Sequence, residues 1–232
     1  MKQAMILLVA ALTALSVQAR PLMLLNDSIP AVPADSIAAD SLRNDSTAKP
    51  KKPETEYEKL VKKGGTTLEG LFLVRHIEDK YYFEVPDSLL GRKLLCVTRF
   101  TAVPQQLGPF AGEEITHCTV YFEQRDTTSL LLRQYVLSHL SAPEDQITRT
   151  LEMSTIDPMV MAFKVIGRNE AKDASLIEVT GLFKGDSQLV SISGDRKSSM
   201  KVGGLQADRT FIDTMKVFPT NIEVATTRTY GS

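Results

Sequence analysis

His76, His117 and His139 have the widest chemical reach in this chain, because three imidazoles carried on strands can hold a zinc ion. Each falls on an expected strand or at its end. No HExxH motif sets two of them on one helix face beside a glutamate, so they read as separate structural or surface histidines. Glu113-Glu114 is an adjacent carboxylate pair, and acid/base work would need burial that splits the two pKa values. The surrounding "TAVPQQLGPFAGEE", with two Pro and two Gly, predicts a long exposed loop, so the pair reads as solvated. There is no GxSxG, no glycine-rich phosphate loop and no GxGxxG. No catalytic, cofactor-binding or metal-ligating residue is assigned.

Cys96 and Cys118 lie on strands expected to pair. In an oxidising compartment they can form a disulfide; in the alternative each is a small buried hydrophobe. Without CxxC spacing they make neither a zinc knuckle nor a thioredoxin-like site. The formal net charge of −1 gives no clustered cation for nucleic acid or an anionic membrane.

The compartment is read from the N-terminus. "MKQAMILLVAALTALSVQAR" places Lys2 before an apolar run from about Met5 to Leu15, then Val17-Gln18-Ala19, a small-residue cleavage pattern. The run is shorter than the ~20 residues needed to span a bilayer. Residues 1–19 are therefore expected to be a signal peptide, and the mature chain to be exported to the periplasm or secreted, with no membrane span. Residues 20–54 are rich in Ser, Asp, Ala and Pro, with Asp-Ser at 27, 35, 40 and 45. Such a stretch buries too little apolar surface to order itself and predicts a flexible tether. It lacks the glycines and alternating carboxylates of a calcium loop.

From Glu54 onward the pattern predicts packed elements. Tyr57, Leu60 and Val61 have helical spacing, closed by Gly64-Gly65. Strands are expected over 71–77 and 81–85 with a turn at Glu78-Asp79-Lys80, then over a stretch ending at Phe100. In "YYFEV", alternation puts Tyr81, Phe83 and Val85 toward a core and turns Tyr82 and Glu84 away. Gly91 permits the reversal between hairpin strands. Further strands are expected at 116–124, 129–136, 160–166, 175–180 and in "NIEVATTRTY". Helices are expected over 141–155 and from about Asp208, stopped by Pro219. The fold class is α+β and β-dominated, an antiparallel sheet or sandwich with a few short helices. A small module over 55–100 and a second β-rich module over 101–232 are expected to pack together, the second truncated at its C-terminus.

"YEKLVKKGGTTLEGLFLVRHIEDKYYFEVPDSLLGRKLLCVTRF" resembles the N-terminal module of a family of exported bacterial zinc-dependent metalloproteases. The matching positions are Tyr57-Glu58, Gly70-Leu71-Phe72, Lys80 to Pro86 and Leu89 to Arg92. In that family a second domain of unknown function follows, and "MAFKVIGRN", "IEVTGLFKGD" and "DRTFIDTMKVFPTNIEVATTRTY" are similar to its pieces. The resemblance spans about residues 55–230. It implies a non-catalytic region that helps a downstream peptidase domain fold, gate or dock substrate, with an extended peptide as a further partner. Zinc would be held only by the HExxH helix of that later domain, so no residue here inherits a ligand or the catalytic Glu. The chain is then either a piece of a longer product, which a C-terminus at the end of a predicted strand favours, or a naturally short form. A stand-alone periplasmic binding or structural module is the other reading.

Overall fold

The structure, a computed structural model, describes the backbone of residues 4–14, together with residues 54–136, 150 and 154–231. The Ala19 cleavage site, the Ser/Asp/Pro-rich stretch, His139 and most of the helix expected over 141–155 lie outside the described residues. The architecture is the expected one, β-dominated with a few short helices.

Helix α1 (Glu56–Lys62) begins with a capping box, in which the Thr55 hydroxyl accepts from Glu58 N at 3.2 Å and the Glu58 carboxylate accepts from Thr55 N at 2.8 Å. It ends into Gly64 and Gly65, both at positive φ. A Cβ at Gly65 would sit 2.3 Å from the His76 carbonyl oxygen, so the chain can turn there only as glycine. Strands β2 (Thr66–Leu68), β3 (Leu73–Ile77) and β4 (Lys80–Pro86) follow. Ile77 faces Lys80, so the β3–β4 turn is the two residues Glu78-Asp79, with Glu78 at φ 56°. Gly91, at φ 72°, carries the reversal into β5 (Leu94–Ala102).

The remaining strands are β6 (Glu114–Asp126), β7 (Ser129–Tyr135), β8 (Met159–Arg168), β9 (Ala174–Glu178), β10 (Phe211–Val217) and β11 (Asn221–Tyr230). Two short helices, α2 (Thr180–Lys184) and α3 (Gly194–Ser199), lie between β9 and β10. With β1 (Ala4–Ala14), the hydrogen-bonded order is β10-β11-β1-β5-β6-β7-β8-β9-β4-β3-β2, and every ladder is antiparallel. Strand β8 joins the two halves, pairing with β7 through its first part and with β9 through Val165–Arg168. The ends of the order also meet, since Leu71 N donates to Phe218 O at 2.8 Å. A Cβ on Gly70 would lie 2.5 Å from that same oxygen, so the closure needs glycine.

Two expectations change. The segment read as a helix from Asp208 is a single turn at Ala207–Arg209 followed by β10. The β10–β11 register slips between Ile212 and Thr214. This bulge places the inward residues Ile212 and Met215 three apart, which mimics a helical period. Pro219 lies in the hairpin turn. The apolar run of the expected signal peptide forms β1, between β5 and β11; an uncharged alternating-capable run of this length fits a strand as readily as a signal core.

The second change concerns Glu84. Its expected face is not solvent: β4 is buried on both sides. Phe83 and Val85 enter the main core, where Phe83 stacks on Phe72 at 5.1 Å between ring centroids. Tyr82 faces a smaller cluster with Tyr57, Ile77 and Leu176 beneath α1. Glu84, 7% exposed, accepts from Arg75 Nη2 at 3.2 Å and from the Tyr57 hydroxyl at 3.2 Å. Helix α1 supplies the cover that strand alternation alone could not reveal, and Gly167 on β8 admits it, because a Cβ there would lie 2.8 Å from Tyr57 Cβ.

Phe83→Ala is expected to cost about 3 to 5 kcal/mol through lost burial and a residual cavity. Glu84→Ala is expected to cost a similar amount, about 3 to 5 kcal/mol, because it strands Arg75 without its carboxylate. Glu178→Ala removes only the exposed Lys80 pair (3.0 Å) and should cost about 1 kcal/mol or less. Urea unfolding of the three variants checks this ranking; a Glu84→Ala midpoint matching Glu178→Ala would contradict it.

Candidate functional site

The expected chemistry-bearing residues are dispersed. His76 on β3 stacks on Tyr81, with ring centroids 4.2 Å apart. His117 lies on β6, with four strands between it and β3 in the sheet order, and its Nδ1 is 2.6 Å from Glu114 Oε1. Among the described residues no three His, Cys, Asp or Glu side chains gather as a metal site. Glu113 and Glu114 do not form a couple: Glu113 pairs with Arg196, and Glu114 with Arg99 at 3.1 Å as well as with His117.

The structure does bring the cysteines together. Cys96 and Cys118 face each other directly across the β5–β6 ladder, both as free thiols, Cys96 buried and Cys118 half-buried. Cys96 donates toward Cys118, and that hydrogen bond together with burial holds the Cys96 thiol well above the ordinary range. The same bond lowers Cys118, and the nearby His117 adds to this against the opposing effect of burial. His117 is not a base for the thiol, because adjacent strand residues point to opposite faces.

Cys118 lines a recess of about 410 Å³ with a largely polar wall. Thr116 and Cys118 come from β6, Gln134 from β7, and Asp186, Gln188, Ser191 and Lys197 from the α2–α3 segment. The recess is braced rather than reactive. Lys197 Nζ donates to Asp186 at 2.6 Å, and Gln188 donates to Gln134 at 3.1 Å. Burial acts to raise Asp186, but hydrogen bonds from Lys197 and Ser191 outweigh it and its pKa is lowered.

Behind the recess lies Arg228, fully buried on the inward face of β11. Its guanidinium donates to Gly185 O at 3.0 and 2.9 Å, Phe183 O at 2.5 Å and Ser191 Oγ at 2.9 Å. Burial pushes its pKa down, while the Asp186 charge acts upward. Arg228 thus pins the α2–α3 segment to the sheet and sets the cavity wall. Sequence reading missed it. The available signal was position: Ile222, Val224, Thr226 and Arg228 share one strand face. No nucleophile with a positioned base, and no unengaged cation, faces the recess; what it offers is hydroxyl, amide and thiol groups.

Residues 54–103 match the model of a domain of unknown function (DUF5118), and residues 112–232 match another (DUF5117). The chain belongs to the DUF5117 family, whose model covers more than half of it, with a DUF5118 segment preceding. No curated protein and no solved structure matches the chain.

Alkylation by iodoacetamide should therefore label Cys118 first, with a rate rising through a pH below the ordinary thiol range, while Cys96 reacts only after denaturation. Peptide mapping across a pH series reads this directly. Equal labelling of both thiols in the native protein would contradict the hydrogen-bonded pairing.

Proposed function

We propose that this chain is the non-catalytic N-terminal region of an exported zinc-dependent metalloprotease, serving the folding, gating or substrate docking of a peptidase domain that follows it. The observation that carries the reading is the order of the two matched segments, DUF5118 then DUF5117, on the stretch whose residues resemble that family's accessory modules. Zinc and the water-activating glutamate belong, in this reading, to an HExxH helix outside these residues. The physical role open to a β-rich region is scaffolding: it can order a neighbouring domain, or an extended peptide, through backbone hydrogen bonds at a strand edge. Export follows from the N-terminal Lys2, apolar run and Val17-Gln18-Ala19. Among the described residues no helix is long and apolar enough to cross a membrane. The braced polar cavity favours a second reading, a stand-alone periplasmic binding module.

The gene separates the two. Reading frame continuing past Ser232 into an HExxH-containing domain is the expected result; a stop codon there would favour the stand-alone module. Intact mass of exported protein should give a chain beginning at Arg20, and retention of Met1 to Ala19 would contradict cleavage. The 232-residue chain alone should neither retain one zinc per molecule by elemental analysis nor cleave casein; stoichiometric zinc with activity lost on chelation would overturn the accessory role.

A further inference from the structure

Strand β1 completes the sheet from a segment that the proposed export removes. Its backbone pairs on one side with β11, Ala4 opposite Tyr230 through Thr13 opposite Asn221, and on the other with β5, Leu8 opposite Phe100 through Ala14 opposite Leu94. Two strand edges, each about as long as β1, thus face one lane. Vacating it would leave both rows of lane-facing N–H and C=O groups without partners, a strong demand for another strand.

The lane does not depend on β1 for its walls. β5 is held by β6. β11 is held by β10 and by Arg228, and by backbone bonds from Gly203 N to Gly231 O (2.7 Å) and Gln206 N to Thr229 O (2.8 Å). Ile222, Val224 and Tyr230 of β11 also belong to the main core beside Leu94, Cys96 and Phe100 of β5.

The register identifies the entry point. β1 runs antiparallel to both neighbours and starts opposite Tyr230, the last residue of β11. A chain leaving β11 and turning back through a hairpin enters the lane at that point, in that direction. We propose that the lane between β5 and β11 is a strand-acceptor site whose occupant in the mature protein is the segment that follows β11 in the same polypeptide. That segment is extended, about ten residues long and uncharged, as "AMILLVAALTA" is, with apolar residues on the alternate positions that meet the core. This rests on the reading above for its following domain, and it deepens that reading: the accessory region would hold its neighbour by donated-strand pairing.

Three chains kept in the cytoplasm test it: the full chain, a chain starting at Arg20, and the Arg20 chain with a copy of Ala4–Ala14 appended after Ser232 through an Asn-Gly turn. Hydrogen exchange is read at the lane-facing amides of 97–100 and 224–228. These should be protected in the full chain, exchange at least about a hundredfold faster in the Arg20 chain, and regain protection in the appended chain. An appended copy carrying Val9→Pro, which removes a mid-lane N–H, should not restore it. Should the Arg20 chain fail to fold, recovery of cooperative unfolding by the appended copy, and not by its proline variant, is the supporting result. Full protection in a monomeric Arg20 chain, or no recovery on appending, overturns the proposal. Protection in an Arg20 dimer assigns the lane to a second copy and overturns it equally. A frame continuing past Ser232 without an HExxH domain, with these exchange results intact, would remove the metalloprotease reading and leave the strand acceptor; a stop codon at 233 would remove the occupant and overturn both; a continuing frame with no recovery would remove the acceptor alone.

Discussion

Strands from the first matched segment find their partners in the second. β4 pairs with β9 through Tyr82–Pro86, and β5 pairs with β6 through Leu94–Arg99. Backbone N–H and C=O groups taken out of water must be paired, and these ladders satisfy one edge of β4 and one edge of β5. The remainder of the structure follows from that exchange. The described residues from 55 onward share one compact unit, and Phe72, Phe83, Phe122, Phe163 and Phe183 from both matched segments pack into one core. Few of these contacts are local, so the entropy of closing long loops is offset only when the segments combine.

The same constraint explains the charged groups inside. β4 lies between β3 and β9 in the sheet, with the main core on one face and α1 on the other, so a carboxylate at position 84 has no route to water. It is tolerated because Arg75 and Tyr57 meet it there, and burial together with the Glu84 charge raises the Tyr57 pKa, keeping that phenol a donor. Arg228 is the counterpart on β11. It is held by backbone carbonyls of the α2–α3 segment in place of a carboxylate, which ties an irregular stretch to a regular one.

How far this was legible depended on range. The strand pattern, Gly91 at positive φ and the inward Phe83 are local matters of alternation and turn chemistry, and they read correctly from the sequence. What lay beyond it was tertiary. Nothing in "KYYFEV" says that α1 will cover Tyr82 and Glu84. A bulge at residue 213 disguised β10 as a helix by changing a spacing of two to three. The facing of Cys96 and Cys118 needed a register that only the fold supplies. The polar cavity draws its walls from β6, β7 and a segment more than fifty residues later, so no single stretch could announce it. The apolar N-terminal run is a different case, since one uncharged sequence satisfies both an export signal and a sheet lane.

The central claim is that the two matched segments make one cooperative β-rich unit, and hydrogen exchange across a urea series tests it most directly. Amides of β3 and β4 and amides of β6 and β7 should lose protection at the same midpoint with the same dependence on urea, as one transition. Separate midpoints, with residues 55–103 opening while 112–136 stay protected, would show two independent domains and contradict the account.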